Sequence, residues 1–83
     1  MLDSMSTQRT KTQGNICGFK IRELRKKRGI AQVDFAAALN VDFGFTFDQS
    51  DISEIERRFR GVKDFELKAI AQILEVSCDE LLS

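Results

Sequence analysis

Two clusters of basic side chains make this sequence suited to bind a charged ligand. One is RKKR at residues 25–28, and the other is RRFRGVK at residues 57–63. Grouped Lys and Arg side chains can form a local positive surface for a polyanion, although 13 basic and 13 acidic residues leave the whole chain without net charge. Taken alone, each cluster is more simply explained as a solvated helix end, because basic residues are mostly exposed and favour helix C-termini.

The sequence lacks the residues that a metal site or an acid–base catalytic site would need. The chain contains no His, and its two Cys, Cys17 and Cys78, stand far apart, which fits neither a zinc site nor a disulfide framework. The triplet DFG at residues 42–44 also occurs in the metal-binding segment of kinases, but here no Gly-rich loop or catalytic-loop pattern accompanies it. Without His, Tyr or a second lobe there is no pocket for a paired acid and base, so we expect no enzyme, no metal and no cofactor.

Length and composition indicate a single small helical domain. The 83 residues can bury only a modest core, Pro is absent and Gly is scarce, all of which favour a compact helical fold. No apolar run approaches the roughly 20 residues needed to span a bilayer, and the N-terminus lacks the basic flank and apolar core of a signal peptide. We therefore expect the protein in the reducing cytoplasm, with Cys17 and Cys78 as small buried hydrophobic residues.

The elements that must position the basic clusters are predicted helices. Residues 1–15 are polar, rich in Ser, Thr and Gln, and aperiodic, which predicts a disordered N-terminal arm before a folded domain at 16–83. Within that domain apolar residues recur at the spacing of one helix face, most clearly Leu67, Ile70 and Leu74. The predicted helices span residues 16–29, 32–40, 49–58, 64–74 and 78–83.

Three segments together resemble the phage repressor and Cro type of helix-turn-helix domain, also called the xenobiotic-response-element family. They are GFKIRELRKKRGIAQVDFAAAL, SDISEIERRFR and DFELKAIAQILEVSCDELL, and they span about residues 16–83 in the family's order. The resemblance implies an all-α, lambda-repressor-like bundle of five helices whose second and third helices form the helix-turn-helix, with the third in the DNA major groove. The implied function is that of a sequence-specific DNA-binding transcriptional regulator, associated with the nucleoid.

The turn between the second and third helices is several residues longer than is usual in the family. It contains three of the seven Phe, at positions 43, 45 and 47. By analogy with a long-turn branch of the family, Gly44 supplies the bend and Phe47 fills the core just before the helix cap Asp48. An extended segment buries alternate side chains on one face, which predicts a small satellite core of the three rings. The alternative is that Phe43 and Phe45 contact a protein partner, or that Phe45 stacks on a sugar or base.

The resemblance assigns DNA contacts to the third helix and to the segment after it. Gln49 matches a position that faces the major groove, where its amide can read adenine through two hydrogen bonds, and Glu54 can accept one from the cytosine amino group. Residues at base-contacting positions are Gln49, Ser50, Ser53 and Glu54, and those assigned to phosphate are Gln32, Arg57, Arg58, Arg60 and Lys63. Asp51 is expected to act as a capping partner, and Arg25 and Glu56 match a family pair that forms a partly buried salt bridge.

Three helix ends depart from the family pattern. Ala31 stands where Ser or Thr normally caps the second helix, which costs about 1 kcal/mol. Lys63 stands at the usual cap of the fourth helix, leaving Asp64 to take over that role. Arg58 stands where Gly usually ends the third helix, and a left-handed backbone at this residue costs of order 1 kcal/mol.

The acidic residues near the predicted third helix support an alternative function. Residues 42–56 carry five acidic side chains, of which Asp48, Asp51 and Glu54 lie near the surface that should meet DNA. They favour, as the alternative, a protein-interaction module with the same fold, such as an antitoxin or an accessory subunit. Salt-sensitive binding to double-stranded DNA distinguishes the two functions.

A single module of this kind reads only half of a DNA site. Useful specificity therefore needs a second module or a partner protein, and the DNA-binding interpretation favours a homodimer on double-stranded DNA. Leu81 and Leu82 in the predicted fifth helix are the candidate contacts between the two copies.

Overall fold

Five α-helices make up the part of the chain that the structure describes. The computed structural model describes residues 17–82, which contain helices and no strand. The helices are α1 (Gly18–Lys27), α2 (Gln32–Phe43), α3 (Gln49–Glu56), α4 (Asp64–Leu74) and α5 (Cys78–Leu82). The predicted all-α class is confirmed over these residues, and none of the five helices is long and apolar enough to cross a membrane. The arm predicted at residues 1–15 lies outside them.

Helix α2 is longer than predicted. It continues past Asn40 to Phe43, whose ring packs against the core, and Gly44 is the first residue to leave the helix. Gly44 adopts the left-handed conformation, with φ of 74°, and its N–H donates to the Asn40 carbonyl at 2.9 Å. Glycine has no Cβ to clash in this conformation, so the chain bends at Gly44 as the sequence predicts.

Helix α3 is shorter than predicted, since it ends at Glu56 rather than at Arg58. Arg58 has φ of 66°, the left-handed backbone expected where Gly is usual. Its N–H donates to the Ile55 carbonyl at 3.0 Å, and the Phe59 N–H donates to the Glu54 carbonyl at 2.8 Å. These two bonds form a Schellman motif, which satisfies carbonyl groups at the end of α3 and turns the chain toward α4.

Side-chain hydrogen bonds cap the start of α3 and the start of α4, but the residues that supply them occupy different positions. Asp48 accepts the Asp51 N–H at 3.0 Å and Asp51 accepts the Asp48 N–H at 2.9 Å, so the predicted capping role of Asp51 is confirmed. The predicted capping of α4 by Asp64 is wrong, because Asp64 is already the first helical residue. Lys63 occupies the cap position but has no acceptor in its side chain, and Glu66 reaches back to accept the Lys63 N–H at 3.0 Å.

The core lies where α1, α2, α3 and α4 meet, and α5 packs against α4. Its largest fully buried apolar side chains are Phe35, Ile21, Leu39, Ile52, Ile55, Ile70, Leu74 and Leu81. The prediction that Leu81 contacts a second copy is wrong, because this side chain fills the core of its own chain. Leu82 remains available on the surface, with 47% of the residue exposed.

The two cysteines differ in burial. Cys17 is buried in the core, and this desolvation raises the pKa of its thiol above the ordinary value, which favours the neutral form. Cys78 is half-buried at the start of α5. Both are free thiols, and the prediction of two buried hydrophobic residues therefore holds fully for Cys17 alone.

Aromatic rings fill the enlarged turn between α2 and α3. Phe45 stacks on Phe43 with ring centroids 5.9 Å apart, and it meets Phe47 edge-on at 5.4 Å. All three rings are half-buried against the core, so the predicted satellite cluster is present. It differs from the prediction in two respects, because Phe43 lies in the last turn of α2 and Phe65 of α4 joins the cluster, 5.9 Å from Phe45. Binding of a protein partner by Phe43 and Phe45 stays a prediction.

Candidate nucleic-acid interface

Helix α3 has one buried face and one polar face. Ile52, Ile55 and Glu56 are buried against the rest of the domain. The opposite face carries the four residues predicted to contact bases: Gln49, Ser50 and Glu54 are exposed and Ser53 is half-buried. These four residues line a shallow groove, here called the α3 groove, together with Gln32 and Arg57. The structure therefore brings the predicted base-contacting residues together with two of the predicted phosphate-contacting ones.

A buried ion pair anchors α3 to α1. Arg25 Nε lies 2.5 Å from Glu56 Oε2, and Arg25 Nη2 donates to Glu56 Oε1 at 3.1 Å. A third donor, Arg25 Nη1, bonds the Ile30 carbonyl at 2.5 Å. The two side chains are only 8% and 1% exposed, so each charge depends on the other rather than on water. The pairing expected from the resemblance is thus present, and it is more buried than expected.

Two glutamines extend this ion pair to the protein surface. Gln32 Nε2 donates to Glu56 Oε1 at 3.0 Å, and Gln49 Nε2 donates to Gln32 Oε1 at 3.3 Å. Gln49 thus begins α3 with its amide already oriented by Gln32, and one of its two N–H donors and its carbonyl remain for another partner. The sequence predicted a phosphate contact for Gln32 but did not indicate this second role, which depends on the distance between the starts of α2 and α3.

A double hydrogen bond from Asn40 holds the end of the enlarged turn. Asn40 Nδ2 donates to the Phe47 carbonyl, and the Phe47 N–H donates to Asn40 Oδ1, both at 2.8 Å. Phe47 immediately precedes Asp48, the N-cap of α3. The Asn40 amide therefore ties the beginning of α3 to the last turns of α2. Sequence reasoning missed this contact, and its only signal is an amide residue near the end of the helix that precedes the turn.

Replacing Asn40 by Ala should lower the free energy of unfolding by about 1–3 kcal/mol, because two hydrogen bonds are lost and two half-buried backbone groups of Phe47 lose their partner. Urea unfolding followed by circular dichroism measures the change. Gln72→Ala is the matched control, since Gln72 is an exposed amide in α4, and its effect should stay within about 0.5 kcal/mol. Equal stabilities of the two variants would show that the Asn40 bonds do not secure the turn.

The basic side chains that follow α3 differ in their exposure and in their contacts. Arg57 and Lys63 are exposed, and Arg58 is half-buried with its guanidinium 5.1 Å from the centre of the Phe19 ring. Arg60 instead turns inward, where its Nη2 lies 3.2 Å from Glu66 Oε2. Its guanidinium also lies over a ring of the aromatic cluster. A phosphate would consequently compete with Glu66 for the Arg60 guanidinium. A phosphate at Arg57 would meet no such competition from an ion pair within residues 17–82.

Three of the five acidic residues at positions 42–56 are engaged within the domain. Asp48 and Asp51 bond backbone N–H groups at the positive end of α3, and Glu56 pairs with Arg25. Glu54 is the acidic side chain that lines the α3 groove. Asp48 and Asp51 therefore lie at the positive end of the α3 dipole, and their repulsion of a polyanion is weaker than the sequence suggests.

Comparison with known protein families shows a match to most of the chain. A family model described as helix-turn-helix matches residues 21–81, which is more than half of the chain and reaches from α1 into α5. Comparisons with curated proteins and with solved structures find no matching chain. Among residues 17–82 no cluster of His, Cys, Asp and Glu side chains is arranged to hold a metal ion.

Proposed function

We propose that this chain, which belongs to the helix-turn-helix family of DNA-binding domains in its xenobiotic-response-element type, is a transcriptional regulator that places α3 in the major groove of a specific DNA site. The observation that carries the proposal is the polar face of α3. Its four predicted base-contacting residues share the α3 groove with Gln32 and Arg57. The opposite face is held in the core by Ile52 and Ile55, so α3 can present this polar face as a rigid unit.

Gln49 is the principal base-contacting residue in this proposal. Gln32 orients its amide in the free protein, which lowers the entropic cost of ordering it on DNA. A glutamine amide suits the adenine edge, which offers one donor and one acceptor in the major groove. Ser50 can donate to or accept from several bases, and Glu54 can accept from a cytosine amino group.

Phosphate contacts would flank α3 on both sides. Arg57 is exposed at the end of α3, and Arg58 and Lys63 follow it. At the other side, α2 begins after Ala31, which has no side-chain acceptor, so Ala31 provides no cap for the first N–H groups of α2. Uncapped N–H groups at a helix N-terminus favour an anion, and a DNA phosphate suits that place beside Gln32. These contacts set affinity and register, whereas α3 sets sequence preference.

Dimeric binding is part of the proposal, because one α3 reads only a few base pairs. Leu82 at the end of α5 is the remaining candidate contact between copies, since Leu81 is buried. The alternative function, a protein-interaction module such as an antitoxin or accessory subunit, would use the Phe-rich turn, where Phe65 is 57% exposed at the edge of the aromatic cluster.

Selection of bound sequences from a random pool of duplex DNA tests the proposal most directly. The expected result is a palindromic motif with half-sites about 10 base pairs apart or a multiple of that spacing, as a two-fold dimer requires. A single enriched half-site would support DNA reading without the dimer. A pool that shows no enrichment would overturn the regulator proposal and favour the protein-interaction module.

Substitution of Gln49 and of Arg57 should separate base reading from backbone positioning. Gln49→Ala should cost about 1–3 kcal/mol on the preferred site and relax preference at one base position, because a two-bond contact to a base is lost. Arg57→Ala should weaken binding to preferred and random duplexes by similar factors, because a phosphate carries no sequence information. Fluorescence anisotropy with both duplexes measures the two effects. Exchanged phenotypes would show that α3 lies in a different orientation on DNA.

A further inference from the structure

We propose that Phe59 is a positioning residue for the DNA interface, which holds the Arg57 guanidinium ready for a backbone phosphate beside the α3 groove. This inference rests on the proposed function. Phe59 is 71% exposed, more than Phe19 or Phe65, the other two exposed aromatic residues among residues 17–82. A single exposed apolar ring is common on protein surfaces, so the inference rests on the contact between this ring and Arg57.

The backbone of Phe59 is fixed by the end of α3. The Phe59 N–H bonds the Glu54 carbonyl at 2.8 Å, which makes Phe59 the residue after the left-handed position of the Schellman motif. In this motif the side chain at that position often packs back on the helix as an apolar contact. Here the ring instead lies beside Arg57, whose Cζ is 4.7 Å from the ring centroid. This distance is within the range of a cation–π contact.

Among residues 17–82, the Phe59 ring is the side-chain partner of Arg57, whereas three other arginines form ion pairs. Arg25, Arg28 and Arg60 form ion pairs with Glu56, Glu75 and Glu66. For Arg57 no side-chain hydrogen bond or ion pair occurs among residues 17–82, and its backbone N–H is bonded to the Ser53 carbonyl at 2.9 Å. The ring therefore covers one face of the guanidinium and leaves its N–H donors at the edge, where they suit a phosphate.

The position of Arg57 agrees with this assignment. It lines the α3 groove and also a second groove with Phe19 and Arg22, so it stands between the predicted base-contacting face and the N-terminal part of α1. A guanidinium already held there loses less side-chain entropy on binding than a free one. Phe59 would therefore increase affinity without itself contacting a base.

A double-mutant cycle on duplex DNA tests the inference. Phe59→Leu keeps an apolar side chain without the ring, and Phe59→Tyr keeps the ring. We expect Phe59→Leu to weaken binding about threefold per protomer, hence about tenfold for a dimer, on preferred and random duplexes alike. Phe59→Tyr should bind like the parent. In an Arg57→Ala background, Phe59→Leu should have no further effect, because the residue on which it acts is gone.

Two controls make the result specific. Urea unfolding should give the same midpoint for Phe59→Leu and the parent, and Val41→Ala, which trims an 83% exposed apolar side chain in α2, should leave DNA affinity unchanged. Unchanged affinity of Phe59→Leu, or an equal loss with and without Arg57, would overturn the positioning role. Failure of the parent itself to bind any duplex would instead refute the proposed function, so the two failures are distinguishable.

Discussion

Replacing Arg25 by Ala should destabilise the domain by about 3–5 kcal/mol, because it leaves the carboxylate of Glu56 buried without its charged partner. Glu56 is only 1% exposed and would retain just the bond from Gln32. The Ile30 carbonyl would also lose its donor. Since a domain of this size has roughly 3–5 kcal/mol of stability in total, the variant should be largely unfolded at 25 °C. Thermal and urea unfolding measure the effect.

Arg28→Ala is the matched control for that change. Arg28 pairs with Glu75 at 3.1 Å, but the side chains are 39% and 71% exposed, so the loss should be below about 1 kcal/mol. Replacing Arg25 and Glu56 together by Met should recover much of the lost stability, because the double change removes the buried unpaired charge. Similar melting temperatures for Arg25→Ala and Arg28→Ala would show that the buried position of the ion pair has no energetic consequence.

Affinity for duplex DNA should fall steeply with salt. If each protomer neutralises three or four phosphates, a bound dimer should show a log–log salt slope of about −5 to −7, so that affinity falls roughly 10³–10⁴-fold between 50 and 200 mM salt. The reason is the release of counterions from DNA when Arg57 and its basic neighbours occupy the phosphates. Anisotropy measured across a salt series gives the slope.

Charge variants locate the source of the salt dependence. Arg57→Ala should flatten the slope by about one unit per protomer. Lys68→Ala is the comparison, since Lys68 is exposed on α4 and lines neither groove that contains Arg57, and the slope should not change. Binding that does not respond to salt would point away from DNA and toward a protein partner.

Local signals in the sequence were sufficient for much of the fold. Helix α4 has the predicted bounds, because its apolar residues repeat at i, i+3, i+4 and i+7. The capping role of Asp51 followed from its spacing to Asp48, whereas the family resemblance raised the left-handed backbone at Arg58 as a condition that the structure meets. In each case the relevant contact lies within a few residues of its partner.

Contacts across the enlarged turn between α2 and α3 were the part that the sequence did not reveal, whereas the distant Arg25–Glu56 pair was expected from the family resemblance. The bonds of Asn40 to Phe47, and of Gln32 to Gln49, depend on how the enlarged turn sets α2 against α3. Helix α2 continues to Phe43 because the ring of Phe43 packs in the aromatic cluster. Such distances are properties of the packed domain, and no periodicity or spacing in the chain encodes them separately.

Hydrogen bonds connect Arg25 to Glu56, Glu56 to Gln32, and Gln32 to Gln49. This network affects how a DNA preference of this domain would diverge during evolution. Changes at Gln49 also disturb a hydrogen bond that leads to the buried ion pair. The side chains of Ser50 and Glu54 are exposed and make no such bond to the network, so substitutions there alter the surface at little cost to stability. New specificities should therefore arise first at these two positions, while the first residue of α3 changes last.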